Sequence, residues 1–147
     1  MRKKIFLFAI LAAVTLACGE KKTPAGTSSN KIIDPKTDIG VGSITSVTLG
    51  KIDDVMATKG EKLFKGKCSS CHKMHKRYIG PSMANITKRR RGEWIMNMIL
   101  NPERMVKENA AAKKLLMEYS APMANQSLKK DEARSILEYF RKNDLKK

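Results

Sequence analysis

Cys68, Cys71 and His72 stand together as Cys68-Ser69-Ser70-Cys71-His72, and Cys-x-x-Cys-His is the attachment signature of c-type haem. The chemistry needs that spacing. Two thiols three residues apart on a bent turn can each add to one vinyl group of the same porphyrin, and the next residue then points its imidazole at the iron. Three other chemistries use a Cys-x-x-Cys pair. A thioredoxin-like redox site needs alternating strands and helices around it, and the pattern shows none. A structural zinc site needs a second pair of ligands; only Cys18 and His75 remain to supply it. A plain disulfide leaves His72 without a use. Haem attachment, with iron held by His72, is the expectation that employs all three residues.

The N-terminus agrees with that chemistry. Met1 to Lys4 is a short basic stretch, and Ile5 to Leu16 is an apolar run too short to span a bilayer comfortably. Residues 1–17 read as an export signal. The Ala17-Cys18 junction resembles a bacterial lipoprotein signal, in which Cys18 is lipidated and becomes the new N-terminus; the rival is an ordinary secretory peptide with Cys18 a free thiol. Residues 18–52 are expected to be a lipid-anchored tether and an extended segment. The Thr23-Pro24-Ala25-Gly26-Thr27-Ser28-Ser29-Asn30 stretch has no apolar periodicity, and a flexible linker of about 20 residues spans roughly 25 Å. Ile44, Val47 and Leu49 can pack along a domain formed by residues 53–147.

The positioning elements of that domain read as helices. Asp53 or Asp54 can cap the first, in which Met56, Gly60, Leu63, Phe64 and Cys68 recur on one face. Gly80-Pro81 signals a turn after the haem motif. Trp94, Ile95, Met98 and Ile99 form a second stripe, stopped by Asn101-Pro102. Ala110 to Tyr119 is a third helix, with Leu115, Leu116 and Tyr119 on its buried side. Ser127 is the expected cap of the last, where Ala133, Ile136, Leu137 and Phe140 keep the i, i+3, i+4, i+7 pattern. The expected fold class is all-α, a bundle of about four or five short helices around one haem. Aromatic residues make up only 5% of the chain, so a bound apolar cofactor would supply much of the core.

From Gly60 to Phe140 the chain resembles a class I c-type cytochrome. Gly60, Phe64, Cys68, Cys71 and His72 keep the family spacing, and Ile136 and Tyr139 stand where the family packs its last helix on the first. The resemblance implies a close helix crossing at Gly60, a hydrogen bond from His72 to the Pro81 carbonyl that fixes the ring tautomer, and a Met from the loop before the last helix as sixth iron ligand. Met123, within Ala121-Pro122-Met123-Ala124-Asn125-Gln126, matches that place. A thioether ligand favours ferrous iron and raises the potential. Met96, Met98, Met105 and Met117 read as core residues on helical stripes. Met74 and His75 follow His72 too closely to reach the opposite face, and Met83 lies in the proximal loop.

Trp94 reads as a core residue with its indole N–H near the surface, and Arg77 and Tyr78 as residues able to meet a haem propionate. The chain holds 30 Lys and Arg against 14 Asp and Glu, a net +16 that becomes +13 once Arg2, Lys3 and Lys4 leave with the signal. Such a surface draws acidic partners. The run Lys88-Arg89-Arg90-Arg91 is either a solvated segment or a docking patch for an acidic redox protein. Nucleic acid is excluded as a partner by export and by the scarcity of stacking aromatics. Filled axial positions block small-molecule chemistry, so the expectation is an electron shuttle, not an enzyme, on the periplasmic side of a bacterial membrane. The segments Trp94–Pro102 and Pro122–Gln126 are similar to lipoprotein cytochromes that accompany respiratory reductases such as nitrous-oxide reductase. The alternative is a haem c enzyme or gas sensor with a labile sixth iron position.

Overall fold

A computed structural model describes residues 34–146. The expected export signal, Cys18 and the expected tether up to residue 33 lie outside the described residues. Six helices follow one another: α1 (Asp54–Lys67), α2 (Ile86–Arg89), α3 (Gly92–Leu100), α4 (Pro102–Glu108), α5 (Ala110–Tyr119) and α6 (Lys130–Leu145), with no strand among the described residues. The fold is all-α, with one helix more than the upper end of the expected range. No described helix is long and apolar enough to cross a membrane.

The frame is the crossing of α1 on α6, the most extensive helix pair. Asp53 caps α1 by accepting the Met56 N–H at 2.9 Å. Gly60 is buried at the crossing, and a Cβ there would run into the Ser135 carbonyl, so only glycine lets the backbones approach this closely. Phe64 then meets Tyr139 and Phe140, each with ring centroids 5.6 Å away. Around this crossing Ile95, Ile99, Met105, Ile136 and Leu137 form one buried cluster.

Asn101-Pro102 does not simply stop α3. Asn101 ends α3 and its side chain accepts the Arg104 N–H at 3.1 Å, with Pro102 in the first turn of α4. That is the position where a missing N–H matters least. Asn109 repeats the device before α5, accepting the Ala112 N–H at 3.0 Å. The expected cap at Ser127 gives way to Lys129. Ser127 takes the left-handed conformation, φ 52°, turning the chain so that Leu128 is buried. The Glu132 carboxylate accepts the Lys129 N–H at 2.8 Å and secures the start of α6.

Residues 38–47 form a strap across α3, α4 and α5. Asn97, almost wholly buried, accepts the Ile44 N–H at 3.0 Å and donates to the carbonyls of Ile39 and Ile44 at 3.0 and 2.9 Å. Glu93 accepts the Val47 N–H at 3.2 Å. Asp38 accepts both bonds of the Asn109 amide at 3.0 Å. Ile44 is buried, whereas Leu49 stays exposed.

Candidate cofactor site

The last turn of α1 delivers the haem motif. The Cys68 and His72 N–H groups donate to the Phe64 and Cys68 carbonyls at 2.9 Å, so the motif continues as a tight turn instead of straight helix. Both cysteines are free; Cys68 is partly buried and Cys71 exposed. Burial pushes the Cys68 thiol up to about 11, with Cys71 adding to the rise and Lys67 opposing it.

His72 is fixed from two sides. Its Nδ1 lies 3.1 Å from the Pro81 carbonyl oxygen. A carbonyl can only accept, so Nδ1 carries the proton and the Nε2 lone pair is left for a metal. Gly80 backs the ring: a Cβ there would sit 2.5 Å from Cε1 and 2.9 Å from Nδ1. The loop carrying Gly80 and Pro81 is itself tied down. Gly80 N–H donates to Cys71 O at 2.9 Å, Met83 N–H to Lys73 O at 3.1 Å, and Ala84 N–H to Met74 O at 2.7 Å.

One apolar cavity receives all the predicted site residues. Cys68, Cys71, His72, Pro81 and Met123 line it together. Leu115, Leu116 and Tyr119 of α5, the α3 residues Trp94, Ile95, Met98 and Ile99, and Phe140 of α6 complete the wall. The half-buried stripe of α5 thus faces this cavity, while Met117 on the opposite side is exposed. Among the described residues no cluster of three or more His, Cys, Asp or Glu could hold a metal ion. An apolar slot with two thiols, an imidazole and a thioether suits a flat metal-bearing ring.

Other sequence expectations change. The Trp94 indole N–H is not near the surface. Trp94 is 3% exposed, and the N–H donates to Asn109 Oδ1 at 3.2 Å. Arg77 stacks 4.2 Å from the Tyr119 ring centroid and donates to the Glu118 carbonyl at 3.2 Å. Within the basic run, Arg89 donates to the Ser82 and Ala84 carbonyls at 2.9 and 3.1 Å, and Arg91 pairs with Glu93 at 2.9 Å. The Arg91 guanidinium, opposed in part by burial, holds the Glu93 carboxyl below its usual range. Sequence inspection missed Arg90. Its Nη1 is buried with no hydrogen-bond partner, while Arg90 also lines the cavity.

The family model for cytochrome c matches residues 57–144. The chain belongs to the cytochrome c family. It is also similar to the solved cytochrome c from Rhodothermus marinus, at 40% identity and a TM-score of 0.69, over 70% of this chain and 90% of that one. An engineered R. marinus cytochrome c bound to a carbene intermediate, 1-ethoxy-1-oxopropan-2-ylidene, matches over the same shares at 40% identity and a TM-score of 0.66. No curated protein matches the chain. This cytochrome is of class I, its cofactor is one covalent haem c, and its activity is haem-based electron transfer. The residues present fit that group. The apolar walls suit the porphyrin, the His72 tautomer leaves a lone pair for iron, and the unpartnered Arg90 donor suits an acidic substituent.

Proposed function

We propose that this chain is an exported, membrane-anchored one-electron carrier in which Cys68 and Cys71 bear the haem, His72 is the proximal iron ligand and Met123 the distal one. The carrying observation is the convergence of these four side chains on a single apolar cavity. When bound, the haem supplies an iron that alternates between the ferric and ferrous states. Cys68 and Cys71 hold the ring against loss. The Pro81 carbonyl keeps the proton on Nδ1 and orients the imidazole. Met123 supplies a soft sulfur that favours the reduced state. The walls from α3, α5 and α6 exclude water.

Lipidation of Cys18 would hold the protein on the periplasmic side of a bacterial membrane, with the preceding residues removed as a signal. The excess of Lys and Arg favours an acidic redox partner, such as a periplasmic respiratory reductase, and its encounter rate should fall as salt rises. Mass spectrometry of the exported protein, made with working haem-ligation machinery, tests the anchor and the attachment together. One haem adduct and a lipidated N-terminal Cys18 are expected. A colourless product at bare polypeptide mass defeats the proposal.

Met123→Ala separates carrier from enzyme or sensor. A carrier loses the far-red ferric band of the Met–iron bond and drops sharply in potential. A site whose sixth position is naturally open is indifferent to the change.

A further inference from the structure

We propose that Arg77 is a positioning residue for Met123: it latches the end of α5 to the segment that follows the haem motif, and so holds the loop that presents the thioether. The inference rests on Met123 as the sixth iron ligand and names what keeps it in place. It starts from how little else does. Among the described residues, 121–128 make no hydrogen bond to any residue outside that stretch, and Pro122, Ala124, Asn125 and Ser127 are exposed. The loop therefore takes its place from its two ends.

At the far end Leu128 is buried. At the near end Tyr119 closes α5 and the left-handed Ser120 turns the chain, its N–H donating to the Leu116 carbonyl at 2.8 Å. Tyr119 and Met123 line the same cavity, so a shift of this helix end moves the thioether. Among the helices α5 packs chiefly on α4, which leaves its last turn in need of another hold.

Arg77 supplies that hold. It belongs to the loop between His72 and Pro81, tied to the haem motif by the Gly80 N–H donating to the Cys71 carbonyl at 2.9 Å. Its guanidinium carbon lies 4.2 Å from the Tyr119 ring centroid. One nitrogen donates to the Glu118 carbonyl at 3.2 Å, and another lies 3.8 Å from the Glu118 carboxylate. That carbonyl is among the last four of the helix, which lack partners within it, and the negative end of the helix dipole favours a cation there. A planar fork can stack, donate and pair at once. Among the described residues these are the only hydrogen bond and ion pair between α5 and residues 68–85. The Arg77 and Glu118 side chains are 59% and 47% exposed, so the latch shifts a balance at the loop and does not decide the fold.

The test uses the ferric, haem-loaded full chain with imidazole as the probe. An imidazole nitrogen bonds iron only where the Met123 sulfur has left, with no electron gained or lost, so its affinity measures how often the loop opens. Loss of the far-red band reads the exchange. Arg77→Gln should bind imidazole about two- to fivefold more tightly than the parent. Arg77→Lys keeps the charge but loses the fork, and should fall between the two. Lys76→Gln removes a neighbouring exposed cation and should match the parent. Parent-like affinity in Arg77→Gln, even with a lowered melting temperature, overturns the proposal. An equal rise in Lys76→Gln also overturns it, because net charge is then the cause. If Arg77→Gln does not accumulate, parent-like affinity in Arg77→Lys is decisive against the latch. A parent without the far-red band defeats the Met123 reading and the latch with it, whereas unchanged affinity with the band present defeats the latch alone.

Discussion

Gly80, Pro81 and His72 act as one unit, because the ring has a carbonyl on one nitrogen and a bare backbone against its face. Gly80→Ala forces the ring away from Pro81, since a Cβ 2.5 Å from Cε1 is below any tolerable contact. The expected outcome is a loss of about 1–3 kcal/mol, seen as a lower melting temperature of the haem-loaded protein, with a weakened low-spin spectrum. Cys68 offers a second residue-scale measurement. Its thiol is held near 11 chiefly by burial, and the thiolate is the reactive form. In the haem-free chain, iodoacetamide at pH 8 should therefore label the exposed Cys71 well before Cys68, and Cys68 labelling should climb as pH rises toward 11. Equal rates for the two cysteines at pH 8 would contradict that burial.

The elements differ in what secures them. The proximal loop is cross-linked to the haem motif by backbone bonds, whereas the strap hangs on side chains, above all Asn97. Asn97→Ala leaves strap backbone groups without partners and should destabilise the protein by about 2 kcal/mol, measured by urea unfolding, with faster proteolysis within residues 38–47. A Cβ at Gly42 would run into the Asn97 side chain, so the strap fits only because that position is bare. The loop bearing Met123 opens at Ser120, a left-handed residue at φ 51° that ends α5. Ser120→Gly removes the steric penalty of that conformation and should raise stability by about 1 kcal/mol, read from the denaturation midpoint.

At the scale of the whole molecule, one buried carboxylate ties the two principal helices together. Glu138 of α6 accepts the Asp53 N–H at the start of α1 at 3.0 Å, pairs with Arg134, and pairs with Arg141 at 2.8 Å. Burial acts to raise its pKa, but the Asp53 N–H and the two guanidinium groups outweigh it and hold the carboxyl below its ordinary value of 4.5. A depressed acid stabilises the fold above its unfolded pKa and loses that contribution as pH falls through the folded value. Stability should therefore decline below about pH 4.5, and Glu138→Gln should remove part of that acid dependence. Glu138→Ala, which strands both arginines, should destabilise the protein by about 3 kcal/mol at pH 7. Melting curves from pH 3 to pH 7 check both.

The haem motif and the all-helical class were legible in the chain because each is written locally, and the α1–α6 crossing was expected from the family resemblance that Gly60 and Phe64 carry. Cys68-Ser69-Ser70-Cys71-His72 is one turn long, the stripes of α1 and α6 repeat at helical spacing, and a glycine and an aromatic four residues apart mark one face. What the tertiary structure alone decided depends on partners far apart in sequence. Asn97 reads as one polar residue in an apolar helix until the strap arrives from residues 39–44. The helical stripe alone sends the Trp94 N–H toward the surface; the fold gives it Asn109 as a buried acceptor. Arg90 is indistinguishable within Lys88-Arg89-Arg90-Arg91 until Arg89 and Arg91 are seen bonded elsewhere and Arg90 Nη1 buried beside Trp94. Helical periodicity reports which face is apolar, because that follows from backbone geometry. It carries no information on which distant atom satisfies a buried donor, and that is settled only when the chain has folded.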